Sequence, residues 1–176
     1  MMQLPSASNY AWPTTLFLFV LAATPIFGCV TPFVAAAAAA AGTMERRAGA
    51  LTVLACWAAN QAMGFGFMGY PVDGYAIGWG TAIAGGAMLA WVAARMVARK
   101  GATLVQVAGG AAFGFIAYEG SLYLVALAFG GIGTFTPKIV LTILANDALW
   151  LAVLMAAYGV LSSSAPQLFG RRLRLA

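Results

Sequence analysis

Apolar residues run along this chain in blocks too long for the alternation of a strand or the one-sided stripe of a surface helix. Four blocks have clear bounds, from about Arg47 to Phe67, Asp73 to Val97, Ala102 to Phe129 and Pro137 to about Ser163. Each supplies the roughly 20 residues that a helix needs to cross about 30 Å of hydrocarbon. Pro137 suits a first helical turn, where its missing N–H would have no partner in any case. Tyr70-Pro71-Val72-Asp73-Gly74 and Gly130-Gly131-Ile132-Gly133-Thr134 are turn-forming breaks between blocks.

The first apolar region, about Tyr10 to Gly42, is too long for one crossing and is cut by Pro25 and Pro32 around Phe27-Gly28-Cys29-Val30. Two arrangements follow. A helical hairpin has an N-terminal span, a tight turn and a short Ala-rich return through Ala35–Ala41, giving six helices; one kinked helix gives five. The hairpin is the better fit to two prolines only seven positions apart.

Composition turns these blocks into a class. Of 176 residues, 63% are hydrophobic and 7% charged, whereas a soluble domain carries about 25% charged residues. So few charges cannot clothe a globule in water. The same values exclude disorder, and two cysteines (Cys29 and Cys56, both in apolar stretches) exclude a disulfide scaffold. The expected fold is all-α: a polytopic membrane helical bundle of six transmembrane helices, five in the kinked alternative, forming one integral membrane domain over residues 1–176. The chain has no histidine, which removes the commonest transition-metal ligand and triad chemistry. Cysteines 27 positions apart lack zinc-site spacing, so neither a metal nor a cofactor is expected, nor an enzyme.

The net charge of +5 suggests nucleic acid until its placement is considered. Arg46 and Arg47, then Arg95, Arg99 and Lys100, then Arg171, Arg172 and Arg174 fall in short clusters between apolar blocks. They do not form one wet face with interleaved aromatics. Under the positive-inside bias they mark cytoplasmic ends of spans. Eight of the nine Lys and Arg residues then share a side, and Asp73 and Lys138 lie on the other. The C-terminus is expected in the cytoplasm of a multi-pass (inner) cell-membrane protein, and with six helices the N-terminus also. Met1–Ser8 carries no Lys or Arg, unlike the n-region of a cleavable signal peptide.

Small residues predict close helix contacts. Gly110 and Gly114 form a GxxxG, and Gly78, Gly80, Gly85 and Gly86 give the preceding helix a second small face. In lipid, such residues let backbones approach and gain van der Waals contact. Trp79, Trp91 and Tyr158 read as lipid or interface anchors.

Polar residues deep in apolar blocks carry the functional information, because a carboxylate at a helix centre costs on the order of 3 kcal/mol to insert. Glu119 lies about 25 Å along its helix, Asn146 and Asp147 about 14 Å below the entry of the last one, and Asn60 and Gln61 about 20 Å above the cytoplasmic start of theirs. All occupy the middle-to-outer membrane. Lys138, Thr142, Asn146 and Trp150 recur every fourth residue and share one stripe, with Asp147 beside it. Tyr123 follows Glu119 by four, and Trp57 precedes Asn60 by three. The expected substrate-binding set is therefore Glu119, Asn146, Asp147, Asn60, Gln61, Trp57, Tyr123, Trp150 and Lys138: rings for flat apolar contact, carboxylates and amides for orientation. A cationic substrate would find a counter-ion in Glu119 or Asp147 and cation–π contact with Trp57 or Trp150. The alternatives are structural. Asn60 and Gln61 would bond between helices; Asp147 would pair with Lys138 or bond to Asn146.

Thr31-Pro32-Phe33-Val34, the alanine run, Arg46-Arg47-Ala48-Gly49-Ala50-Leu51, Trp57-Ala58-Ala59-Asn60-Gln61, Gly64-Phe65 and Tyr70-Pro71 together resemble the substrate-binding (S) component of energy-coupling-factor (ECF) vitamin transporters. The resemblance covers the first three helices by motif and the rest by topology. It implies six short helices, a site near the external surface, and uptake of a small polar or cationic vitamin-like molecule. It also implies partners: a transmembrane coupling subunit and ATPase subunits, within membrane lipid and without nucleic acid. No GxxxxGK[ST] loop is present, so any ATP belongs to such partners. Two other functions fit the residues: a small proton- or ion-coupled transporter using Glu119 and Asp147, and a structural subunit of a larger membrane complex.

Overall fold

The computed structural model describes residues 8–27, 31–170 and 173–175. Among them there is no strand. Six helices follow in order, α1 (Ser8–Phe27), α2 (Phe33–Thr43), α3 (Arg46–Gly66), α4 (Gly74–Val97), α5 (Leu104–Phe129) and α6 (Pro137–Ser164), then a single-turn α7 (Pro166–Phe169). The chain is an all-α bundle, as its apolar blocks require.

The ends of the helices have local causes. Asp73 caps α4 by accepting from the Ala76 N–H. Thr103 and Gln106 form a reciprocal capping box at the start of α5. Thr136 accepts from the Ile139 N–H ahead of Pro137, which takes the first turn of α6. Beyond α5 the chain turns at Gly130 and Gly131, whose φ values of 90° and 102° are open to glycine and strained for other residues.

α4, α5 and α6 are long and apolar enough to cross a membrane. α2 is not: its 11 residues rise about 16 Å, half the hydrocarbon thickness. The Ala-rich return of the expected hairpin is thus a half-helix. The turn before it, with Cys29, lies outside the described residues.

α2 occupies the centre. It packs against α3, α4, α5 and α6, and α1 closes the ring by packing on α3. Every residue of α2 is buried, with Ala35–Ala41 at 0% exposure. Alanine makes this possible. A helix with methyl groups on all sides admits four neighbours at once, and close approach supplies the dispersion energy that lipid cannot. The ring is tightest between α4 and α5. There Gly110 and Gly114 sit where an added Cβ would meet the backbone oxygens of Ala94 and Ala90 at 3.0 and 3.1 Å. α5 and α6, by contrast, touch only sparingly.

Two expectations about aromatic residues change. Trp91 and Tyr158, read as lipid or interface anchors, are both 5% exposed. Tyr158 stacks obliquely on Trp12 of α1, and Trp91 stands under the Arg95 guanidinium, 5.4 Å from its ring. Hydropathy cannot distinguish an anchor from a ring that plugs the bundle end. Trp79 is half-buried and meets Tyr75 edge-on near Gly131.

Candidate functional site

Breaking a helix inside a membrane leaves backbone groups without partners, and each must be satisfied by the protein. α2 begins this way at Thr31-Pro32. Its first N–H groups are met in turn. Phe33 N–H donates to the Thr31 carbonyl and Ala36 N–H to the Pro32 carbonyl. Ala35 N–H donates to Asp147 Oδ1 of α6 at 2.9 Å, and Val34 N–H also reaches this carboxylate. The Asp147 side chain therefore caps a helix 112 positions away in sequence. Its carboxyl sits at the positive end of the α2 dipole.

The opposite end is met by the opposite charge. Arg95 of α4 donates through Nη1 to the carbonyls of Met44 and Ala41, at 3.2 and 3.4 Å. Trp12 adds a hydrogen bond to Thr43 Oγ1 at 2.7 Å. Arg95, in the last turn of α4, thus does more than mark a membrane boundary. Two side chains from different helices thus hold the two ends of α2, a carboxyl at the amide end and a guanidinium at the carbonyl end.

Asn60 of α3 completes the break. Its Nδ2 donates to Thr31 Oγ1 at 2.7 Å, and its Oδ1 accepts from Gln61 Nε2 at 3.1 Å. Asn60 thus makes the between-helix bond of the structural alternative. Gln61 also faces α4, where Gly80 leaves room for its Oε1. Trp57 ties α3 to α4 by donating to the Gly80 carbonyl at 2.8 Å.

Glu119 differs from these. It is half-buried on α5, directly after Tyr118, whose ring lies 6.4 Å from that of Phe33 at the start of α2. Its field is felt by both Asp147 and Tyr118. Among the described residues no hydrogen bond or ion pair reaches its carboxylate. Asp147 and Asn60 therefore hold residues 31–35 at the inner end of the half-helix, with Gln61 bonded to Asn60 and Glu119 next in sequence to Tyr118, whose ring meets Phe33.

Tyr123 and Lys138 lie near the start of α6. Tyr123 is 43% exposed and packs edge-on against Phe135, ahead of α6. Lys138 is exposed in the first turn of α6 and forms no ion pair with Asp147; the ion pair among the described residues is Lys100–Glu45, at 2.9 Å. Asn146 and Trp150 are partly buried on α6 beside Asp147.

An apolar crevice of about 440 Å³ runs between α5 and α6 and reaches Val34, Ala35 and Asp147 at its inner wall. A larger cavity of about 1360 Å³ opens at the cationic end, between α1, α3, α7 and the start of α5. Among the described residues no cluster of three His, Cys, Asp or Glu residues is placed to hold a metal ion.

Helices of this length and composition around a fully buried half-helix define a helical membrane protein. The chain matches no protein-family model, no curated protein and no solved structure.

Proposed function

We propose that this chain is a membrane transport protein of the S-component type, which binds a small polar or cationic vitamin-like substrate from the external side and moves it inward with a coupling subunit and ATPase subunits. The observation that carries this reading is Glu119. It is a half-buried carboxylate within a membrane span, without a hydrogen bond or ion pair among the described residues, next to Tyr118, whose ring meets Phe33 at the inner end of a broken helix. A carboxylate is costly to hold at such depth and marks substrate or ion paths more often than packing. Broken helices near the midplane are a recurrent way to build transporter sites, because their ends offer oriented polar groups.

Asp147 and Asn60 support the site from behind, fixing the start of α2 while Glu119 faces the substrate. Mass spectrometry of small molecules that co-purify with the full chain should name a ligand. Calorimetry with that ligand should then show at least a tenfold loss for Glu119→Gln at unchanged melting temperature, about 1.4 kcal/mol. Equal affinity in the variant refutes the assignment.

The proximity of Glu119 to Asp147 favours a second reading, in which the pair carries protons coupled to uptake. It is distinguished by a pH-dependent uptake that Glu119→Gln abolishes while ligand affinity stays intact.

A further inference from the structure

The two cavities adjoin, lined by neighbouring residues of α5 and α6. Thr103 lines the large cavity at the cationic end and Leu104, the next residue, lines the crevice between α5 and α6. On α6, Met155 lines the crevice and Tyr158 the large cavity, three residues apart and so on one helix face. The seam is pinned by the C-terminal segment, where Leu104 N–H donates to the Arg174 carbonyl at 2.8 Å.

The two compartments have opposite chemistry. The large cavity is lined by Arg47, Lys100 and Arg174, which come from three separate segments, with Glu45 as the acidic member. Glu45 already engages Lys100, so Arg47 and Arg174 face the cavity without a carboxylate at ion-pair distance among the described residues. Trp12 and Phe169 supply its apolar wall. The crevice is almost wholly apolar, with Ala108 and Ala112 of α5 facing Ala148 and Ala152 of α6; Asp147, turned to the α2 backbone, is its one charged residue.

A cationic chamber adjoining a narrow hydrocarbon slot matches one kind of molecule, an anionic group joined to a long alkyl chain. We infer that this face binds an anionic phospholipid, with its phosphate headgroup between Arg47 and Arg174 and one acyl chain laid between α5 and α6. The charge complementarity accounts for the headgroup, since basic pockets at one end of a membrane bundle attract anionic lipids by about 1 kcal/mol per Lys or Arg. The slot accounts for the chain: α5 and α6 meet so sparsely that their facing alanines would otherwise lack partners. The inference is independent of the transport reading.

The test uses the full chain in detergent and native mass spectrometry with added phosphatidylglycerol or phosphatidylcholine of equal chain length. Phosphatidylglycerol should be retained preferentially, and Arg47→Gln and Arg174→Gln should each lower its retention about fivefold without affecting phosphatidylcholine. Ala112→Phe, which fills the slot from its lipid-facing side, should lower retention of the long-chain lipid and leave a dihexanoyl analogue unchanged. Equal retention of the two lipids, or no change in the Arg47→Gln/Arg174→Gln double variant, overturns the inference. Displacement of the bound lipid by millimolar inorganic phosphate also overturns it, as it would mark a site for free phosphate. Retention unaffected by Ala112→Phe in a protein of unchanged melting temperature overturns the acyl slot.

Discussion

Asp147 and Ala35 are joined by a 2.9 Å hydrogen bond from backbone to carboxylate across 112 positions of sequence. The contact fixes where α2 begins, and with it the level at which Asn60 meets Thr31. Asp147→Asn retains an acceptor for the Ala35 N–H and loses the charge at the helix pole. Asp147→Ala leaves a buried N–H without a partner, at about 1–3 kcal/mol. Thermal unfolding in detergent should therefore rank wild type above Asp147→Asn, and Asp147→Asn above Asp147→Ala. An alanine variant as stable as wild type refutes the cap.

Arg95 should behave as the counterpart at the other pole. Arg95→Met removes both bonds to the Met44 and Ala41 carbonyls but keeps an apolar stem over Trp91. The expected loss is about 1–2 kcal/mol, in the range for helix-terminal charges in partly buried settings. Unchanged thermal unfolding would show that the carbonyls find other donors.

The α4–α5 seam tolerates no added volume. Gly114→Val places branched methyl groups against the Ala90 carbonyl, where a Cβ alone already meets oxygen at 3.1 Å. Overpacking of this kind costs about 1–3 kcal/mol. Gly85→Val, on the same helix pair but with open space at its Cβ, should be near neutral, and a thermal-shift comparison of the two checks the geometry.

Acid should act on the loop pair. Lys100, by hydrogen bond and charge, holds the Glu45 carboxyl below its ordinary value of 4.5. A depressed folded value means that the pair stabilises the fold above pH 4.5 and that this contribution fades as pH falls through the lower, folded value. Both side chains are largely exposed, so the contribution is at most about 1 kcal/mol. The stability difference between wild type and Lys100→Met should be small at pH 7 and vanish in acid. A difference that grows on acidification contradicts the sign.

Helix positions were legible because hydrocarbon thickness and turn chemistry are local constraints. The expected blocks from Arg47, Asp73, Ala102 and Pro137 match α3 to α6 within two residues at their starts. Asp73 and Ala102 fall within the expected blocks yet precede their helices, because Asp73 and Thr103 act as N-caps. The GxxxG of α5 meets α4 backbone as its spacing implies. The centrality of α2 was harder to see. A run of seven alanines shows that a helix has no bulky face, yet only its neighbours show that all its faces are covered. The polar residues were found by their cost, but their roles depend on partners distant in sequence. Nothing in Asp147's surroundings along the chain points to Ala35, and Arg95 looks like any charge at a span end until α2 stops beside it.

Ribosomes deliver this protein from one end, and that order matters for its central rod. α2 leaves the exit tunnel long before the residue that caps it, so a nascent chain holds a short apolar piece with bare amides and no wall around it. Such a piece cannot settle in lipid alone. Its capped state requires α6, so maturation of the bundle is bound to synthesis of that helix.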